Sequence, residues 1–322
     1  MFRRNVLALA AAGLSAPSVL RAQDAWPDRP IRVIVPFPPG GSNDTIARLM
    51  QPKLQEKLGK PVVIENKAGA SGSVGATEAA RAAPDGYTWI LVQENEATNQ
   101  TVMRLPYRLM QAFAPVSLLG TGPLALVVHP SAPWRTFQDV VAAAKAAPDT
   151  ISYATAGIGG LPHVSTTLLQ QLGGFKLTHV PYRGGGPALQ DALSGQVPLF
   201  MSNVVIISQH IKSGALRPLG VTTAGETRHV PGAKSFAQQG FADFEANTWW
   251  ALLGRAGTPE PILRKMNEAV AGVMSTPEIR DRIEGLGADV SAGGPERCRR
   301  FLNSEVQKWG QVIRDNNITL DS

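Results

Sequence analysis

Four glycine-rich stretches in this 322-residue chain carry the residue types and spacing that suit the binding of an anion. They are Pro36–Asp44, Asn66–Gly75, Ala156–Gly160 and Tyr182–Pro187. Each follows a short apolar run and precedes residues that favour a helix. The first N–H groups of a helix have no intrahelical partner and lie at the positive end of the helix dipole, so an anion fits there. The alternative interpretation is that the glycines serve only the geometry of the turns.

The first stretch has the most explicit pattern. Ile31–Val35 is an apolar run, and Ser42, Asn43 and Asp44 follow the glycines. Each of these three side chains has an oxygen that can accept a free N–H group of a helix start. A strand, a glycine turn and a capped helix in this order are typical of a βα unit in a parallel sheet.

Side chains suited to catalysis are few. The chain has no G-x-S-x-G, no Walker A lysine motif and no H-E-x-x-H motif. Only His163, among the five histidines, starts a predicted helix beside a glycine loop, where it is either a general base or a hydrogen-bonding loop residue. Arg183 either binds a carboxylate bidentately or stays in solvent. Cys298 is the only cysteine, and its spacing from Leu302 and Trp309 predicts a buried core thiol.

The elements around these loops predict an α/β fold with two similar halves. The first hundred residues read as βαβαβ, which predicts a parallel sheet with helices on both faces. The pattern changes at Gly120–Pro123, and a second α/β set follows between Leu124 and Val221, beginning with a predicted strand at Leu124–Val128 and a predicted helix at Phe137–Ala146. A strand at Trp249–Leu253 and three helices, the last at Pro295–Arg314, complete the chain. If the two sets face each other, their glycine loops line one cleft.

Composition and charge indicate an exported protein that does not bind nucleic acid. Arg3 and Arg4 precede the apolar run Val6–Leu20, which ends near Ala22, and these are the three parts of a secretory signal. The Arg-Arg pair also resembles a twin-arginine signal. Without residues 1–22 the formal net charge falls from +6 to +3, because these residues contain three arginines and no acids. The rest has no Lys/Arg run of the kind that marks a nucleic-acid surface and no metal-ligand spacing, so we expect no cofactor.

Eight motifs in order resemble the periplasmic solute-binding receptors of tripartite tricarboxylate transporters, also called Bug receptors. The resemblance covers nearly the whole chain. The motifs are PFPPGGSNDTIAR (36–48), VVIENKAGASGSVGA (62–76), APDGYT (83–88), FAPVSL (113–118), YATAGIGGLPH (153–163), HVPYRGGGPALQDALSGQV (179–197), LRPLGVTT (216–223) and WWALLGRAGTP (249–259).

This resemblance implies a two-lobed type II periplasmic-binding-protein fold with the ligand cleft between the lobes. The implied lobes are residues 23–122 with 223–322, and residues 123–222. In this family a small organic carboxylate is held by backbone groups and waters of facing loops, here Pro38–Asp44, Thr155–His163 and Tyr182–Gly186. The expected ligand-binding residues are Pro38, Gly40, Gly41, Ser42, Asn43, Asp44, Glu94, Thr155, Ala156, Gly157, Gly159, His163, Tyr182, Arg183, Gly184, Gly185, Ser202 and Asn203.

Two positions depart from the family pattern. Ser202 stands where the family usually has an acid, and Gln93–Glu96 stands where small and hydroxyl residues are usual. In an extended segment Glu94 and Glu96 would share a face. Two acids facing the cleft would repel further carboxylates and favour a solute with an amine, an amide or a single carboxylate. The alternative is that both acids point to solvent.

The expected function is therefore that of a periplasmic, monomeric receptor without enzymatic activity. It would deliver a small carboxylated solute to the permease subunits of a tripartite tricarboxylate-type transporter. One alternative is a receptor that presents its ligand to a membrane sensor kinase. The other is a secreted hydrolase that uses His163 with Asp44 or Glu94.

Overall fold

The computed structural model describes residues 26–242 and 244–319, so the predicted signal segment 1–22 lies outside the described residues. The strands of this part of the chain are β1 (Ile31–Val35), β2 (Val62–Asn66), β3 (Thr88–Gln93), β4 (Phe113–Val128), β5 (Ser152–Thr155), β6 (Thr178–Pro181), β7 (Leu199–Asn203), β8 (Arg217–Val221), β9 (Asn247–Arg255) and β10 (Asp289–Gly293). The α-helices are α1 (Ser42–Leu58), α2 (Ser73–Ala80), α3 (Asn95–Val102), α4 (Leu109–Ala112), α5 (Phe137–Ala146), α6 (Leu161–Gly173), α7 (Gly185–Ser194), α8 (Val204–Lys212), α9 (Glu260–Met274), α10 (Pro277–Leu286) and α11 (Pro295–Asp315). Short 3-10 turns lie at Ala70–Gly72 and Ala237–Gln239.

The first lobe is built on a sheet in the order β2-β1-β3-β9-β4-β10. Strands β1, β2 and β3 are parallel, as the βαβαβ pattern predicts, whereas β9 runs antiparallel between β3 and β4. Helices cover both faces of β1: Val33 packs in the core cluster that contains α1, and Ile34 packs in the cluster that contains α2. A parallel strand buried on both faces needs this continuous apolar sequence.

The second lobe is built on a sheet in the order β8-β4-β7-β5-β6. Strand β4 belongs to both sheets, because it pairs with β9 as far as Pro123, with β7 from Leu124 and with β8 from Ala125. The result is the expected two-lobed α/β fold, with one long strand running through both lobes.

The two passages of the chain between the lobes lie side by side. Leu124 N–H donates to Thr222 Oγ1 at 2.9 Å, and Thr222 N–H donates to the Leu124 carbonyl oxygen at 3.1 Å. Ala246 N–H donates to the Thr222 carbonyl oxygen at 3.0 Å, just before β9 begins. Two adjacent passages of this kind can bend together as a hinge.

Helix α11 packs against both lobes. Its first half places Cys298, which is fully buried, in the cluster that contains α2 and α4 of the first lobe. Its second half places Trp309 in the core of the second lobe, together with Phe236 and Phe244. The lobe boundaries drawn from the resemblance stay a prediction, since Val230, Phe236 and Phe244 also pack in the core of the second lobe.

Two classes of site are not found in the described residues. No helix of residues 26–242 and 244–319 is long and apolar enough to cross a membrane. Within the same ranges, no group of three or more His, Cys, Asp or Glu side chains is arranged to hold a metal ion.

Candidate functional site

A small cavity lies between the lobes, beyond the carboxyl ends of β1, β3, β5, β6 and β7. Its volume is about 40 Å³. Residues from both lobes line it: Phe37, Pro38, Gly41, Ser42, Asn43, Ser71, Gln93, Glu94, Asn95, Ala156, Gly157, Gly160, Pro162, Gly185, Gly186, Ser202, Asn203 and Ile206.

Five α-helices begin at this cavity. They are α1, α3, α6, α7 and α8, and their N-cap residues are Gly41, Glu94, Gly160, Gly184 and Asn203. None of these N-caps makes a side-chain capping hydrogen bond. The expectation that Ser42, Asn43 or Asp44 caps α1 is therefore wrong, because Gly41 holds that position. Five positive helix ends directed at one cavity favour an anion there.

Ser42 is the central hydrogen-bonding side chain of the cavity wall. Its hydroxyl donates to Gln93 Oε1 at 3.1 Å and accepts from Trp250 Nε1 at 3.2 Å. It also accepts from Asn203 Nδ2 at 3.0 Å, and Asn203 belongs to the second lobe. Ser71 makes a second link between the lobes, since its hydroxyl donates to the Ile158 carbonyl oxygen at 2.7 Å. The lobes are therefore in contact across the cavity.

Asp44 organises the first glycine loop and does not line the cavity. Its carboxylate accepts hydrogen bonds from Gly40 N–H at 3.0 Å, Arg48 Nε at 2.9 Å and Asn66 Nδ2 at 3.0 Å. Burial alone would raise the pKa of Asp44, but these hydrogen bonds outweigh it and lower the pKa below its ordinary value. Asp44 thus stays ionised and fixes the loop that carries Gly41, Ser42 and Asn43.

The two acids after β3 point in different directions. An extended segment would place them on one face, but α3 begins at Asn95, and two residues along a helix rotate the side-chain direction by about 200°. Glu94 lines the cavity, whereas Glu96 is buried behind it and accepts a hydrogen bond from the Tyr107 hydroxyl at 2.8 Å. Neither acid points to solvent, since both are 1% exposed.

Burial strongly affects the protonation of both acids. Removal from water raises the pKa of Glu94 to about 7, although the Thr248 hydroxyl donates to its carboxyl group at 2.5 Å. Burial likewise raises the pKa of Glu96 to about 8, against the hydrogen bonds from Tyr107 and Gln100. Glu94 is the only acidic or basic side chain among the residues that line the cavity.

The loop after β5 has an inner and a supporting part. Ala156 and Gly157 line the cavity, while Thr155 and Gly159 lie behind it. Thr155 Oγ1 accepts from Gly157 N–H at 3.3 Å and lies 2.7 Å from His179 Nε2.

His163 supports this loop. Its Nδ1 accepts from Gly159 N–H at 3.1 Å, and its ring stacks on His179 with centroids 3.9 Å apart. Burial lowers the pKa of His163 to about 4, so the ring is neutral near pH 7. This geometry agrees with His163 as a hydrogen-bonding loop residue and does not agree with His163 as a general base.

The loop after β6 divides between the cavity and a second opening. Gly185 lines the cavity, whereas Tyr182, Arg183 and Gly184 line a wider outer groove that shares Phe37, Pro38, Ser71, Ala156 and Gly157 with it. The Tyr182 hydroxyl donates to Asp191 at 2.6 Å, which fixes the tyrosine. Arg183 is exposed.

The structure thus brings together part of the predicted set. The predicted residues that line the cavity are Pro38, Gly41, Ser42, Asn43, Glu94, Ala156, Gly157, Gly185, Ser202 and Asn203. Those that do not are Gly40, Asp44, Thr155, Gly159, His163, Tyr182, Arg183 and Gly184. The residue-by-residue prediction missed eight lining residues: Phe37, Ser71, Gln93, Asn95, Gly160, Pro162, Gly186 and Ile206. Three of them, Gly160, Pro162 and Gly186, lie within the predicted loops. Ser71 lies in a glycine loop that the sequence does identify, but nothing in the sequence marks Ile206.

Comparison with known proteins places the chain among receptors. Residues 46–318 match the model of the tripartite tricarboxylate transporter family receptor. The chain is 34% identical over 315 residues to the protein BugT of Bordetella pertussis, covering 97% of this chain and 96% of BugT.

Two solved structures are similar throughout. An R. palustris protein described with adipate is 31% identical with a TM-score of 0.87, covering 91% of this chain and 99% of that one. MatC from Rhodopseudomonas palustris, described with bound malate, is 32% identical with a TM-score of 0.85, covering 89% of this chain and 100% of that one.

Proposed function

The chain belongs to the tripartite tricarboxylate transporter receptor family, and from this premise we propose that it captures a small organic carboxylate in the periplasm and delivers it to a membrane permease. The family is one of solute-binding receptors and not of enzymes. The proposed permease is of the tripartite tricarboxylate type, and we propose that the receptor acts as a monomer.

The observation that carries this proposal is the convergence of five uncapped helix N-termini on one interlobe cavity. No Arg, Lys or His side chain is among the residues that line the cavity. A carboxylate would therefore be held by backbone N–H groups. A hydrogen bond to a charged group contributes about 1.5–3 kcal/mol, and each helix dipole adds about 0.3–1 kcal/mol.

Further support comes from the relatives and from the first 22 residues. The two R. palustris structures are described with adipate and with malate, which are both carboxylates. The predicted secretory signal supports export to the periplasm.

Native mass spectrometry of protein purified without refolding tests the proposal directly. We expect a co-purified small molecule that carries a carboxylate and that the protein returns unchanged after prolonged incubation. Chemical conversion of the molecule, or failure of every carboxylate offered to bind, would count against a carboxylate receptor.

Ligand binding is also expected to close the lobes. A ligand that contacts both lobes favours the closed state by its difference in affinity for the two states. The radius of gyration should fall on binding, toward the value of about 20 Å expected for a compact chain of this length. Small-angle X-ray scattering with and without a saturating carboxylate measures this change. An unchanged radius with ligand bound would contradict closure.

A further inference from the structure

Three amide side chains at the cavity have oxygen atoms without a hydrogen-bond donor in the described part of the chain. The side chains of Asn43, Asn95 and Asn203 line the cavity, and each is at most 5% exposed. The Oδ1 atoms of all three are buried without a hydrogen-bond partner in the described part of the chain. A buried polar atom left without a partner costs about 1–3 kcal/mol, so a group on the ligand that donates to such atoms gains affinity.

Backbone contacts fix the orientation of two of these amides. Asn43 Nδ2 donates to the Leu91 carbonyl oxygen at 3.0 Å, and Asn95 Nδ2 donates to the Ser71 carbonyl oxygen. A carbonyl oxygen can only accept, so exchanging the N and O atoms of either amide would lose that hydrogen bond. The two Oδ1 atoms are therefore acceptors by necessity.

Glu94 lines the cavity next to Asn95 and is its only acidic side chain. It forms no salt bridge with any Arg, Lys or His of the described residues. Its hydrogen bonds come from the Thr248 hydroxyl and from backbone N–H groups of Glu94 and Trp249. An ionised carboxylate kept out of water without a cation is costly, which a cationic ligand group would offset.

We propose that the ligand carries an ammonium group in addition to its carboxylate, and that Glu94 binds this ammonium together with the Oδ1 atoms of Asn43 and Asn95. This inference rests on the proposed function and names the solute class as amino-substituted carboxylates. An ammonium group has three N–H donors and no acceptor, which matches one carboxylate and two amide oxygens. The carboxylate of the same molecule occupies the N-termini of α6, α7 and α8 in the second lobe, so the two ends of the ligand meet opposite charges.

The test uses pairs of compounds that differ only in the amine. Suitable pairs are succinate with aspartate, adipate with 2-aminoadipate, and hexanoate with 2-aminohexanoate or 6-aminohexanoate. Isothermal titration calorimetry gives the affinity of each compound for the native protein and for Glu94→Gln. Glutamine keeps the shape of the side chain and removes its charge.

We expect at least one amino compound to bind the native protein at least 100-fold more tightly than its amine-free partner. Glu94→Gln should remove this preference by weakening the amino compound, and Glu94→Asp should retain part of it. Equal or tighter binding of the amine-free partner throughout, or a preference that survives in Glu94→Gln, would overturn the ammonium site and leave the carboxylate receptor intact. Failure of every compound to bind the native protein would overturn both. Because the panel on the native protein decides the preference, the inference stays testable even if Glu94→Gln does not fold.

Discussion

Replacing Gly185 with valine is expected to lower ligand affinity at least 100-fold while the protein stays folded. Gly185 is the first residue of α7 and lines the cavity. A Cβ atom at this position would come within 2.5 Å of Ile206 Cδ1. Ile206 lines the same cavity, so its displacement fills space in which only about 40 Å³ is open. Because the atom met is the flexible end of a side chain, overpacking should cost only about 1–3 kcal/mol of stability.

Two matched variants make this result specific to the site. Arg183→Ala should change affinity less than about threefold, because Arg183 is exposed in the outer groove and interactions at exposed sites contribute little. Gly225→Val introduces the same side chain where a Cβ atom would meet nothing within 4 Å, so neither affinity nor stability should change. Calorimetry with the co-purified ligand and thermal unfolding of each variant measure both quantities. Loss of binding in Arg183→Ala with normal binding in Gly185→Val would mean that an ion pair holds the ligand.

The order of strands, glycine loops and helices could be predicted because each carries its own local signal. Helix α5 is an example: the predicted span Phe137–Ala146 is also the observed one, because Thr136 and Asp139 form a capping box. Long-range pairing gives no such signal. Only Leu124–Val128 was predicted as a strand, whereas β4 begins at Phe113.

The early part of β4 was missed because it contains residues that normally interrupt strands. Pro115, Gly120 and Pro123 all indicate turns when read locally. In the structure the strand pairs with β9 through two register shifts, at Pro115/Ser117 and Leu118/Gly120. A Cβ atom at Gly120 would lie 2.7 Å from the Asp289 carbonyl oxygen of β10, so the glycine permits this close approach. Bulges and tight strand contacts depend on partners far away in sequence.

The site shows the same division between local and long-range information. The glycine-rich stretches of the sequence predicted where helices begin, and these helix N-termini supply the backbone N–H donors. The roles of the polar side chains depended on contacts across the fold: Asp44 accepts from Asn66, and Asn95 donates to the carbonyl group of Ser71. Asp44 and Glu94 are both acids beside a helix start, yet one fixes a loop and the other lines the cavity.

Glu96→Gln is expected to stabilise the protein by roughly 3–5 kcal/mol above pH 8 and to have little effect near pH 5. Glu96 ordinarily titrates at 4.5, and burial raises its pKa to about 8 in the folded protein. Between these pH values the unfolded chain has lost the proton and the folded protein still holds it. The free energy of unfolding therefore falls as the pH rises through this window. One pH unit of difference corresponds to about 1.4 kcal/mol per proton, which gives the stated range for a shift of this size.

The variant removes this proton dependence and keeps the hydrogen bonds. The Oε1 atom of a glutamine can still accept from the Tyr107 hydroxyl and from Gln100 Nε2, as Glu96 Oε1 does. Glu94 also makes the free energy of unfolding fall as the pH rises, because burial raises its pKa to about 7. The native protein and the variant must therefore be compared at each pH. Urea unfolding at pH 5, 6.5 and 8.5 gives the free energy of unfolding against pH for the native protein and for Glu96→Gln, and the two curves should separate as the pH rises.

Glu56→Gln is the control, because Glu56 is exposed on α1. Its curve should stay within about 0.5 kcal/mol of the native one. Parallel curves for Glu96→Gln and the native protein would show that Glu96 is ionised in the folded state at neutral pH, with a counter-charge or water that holds it.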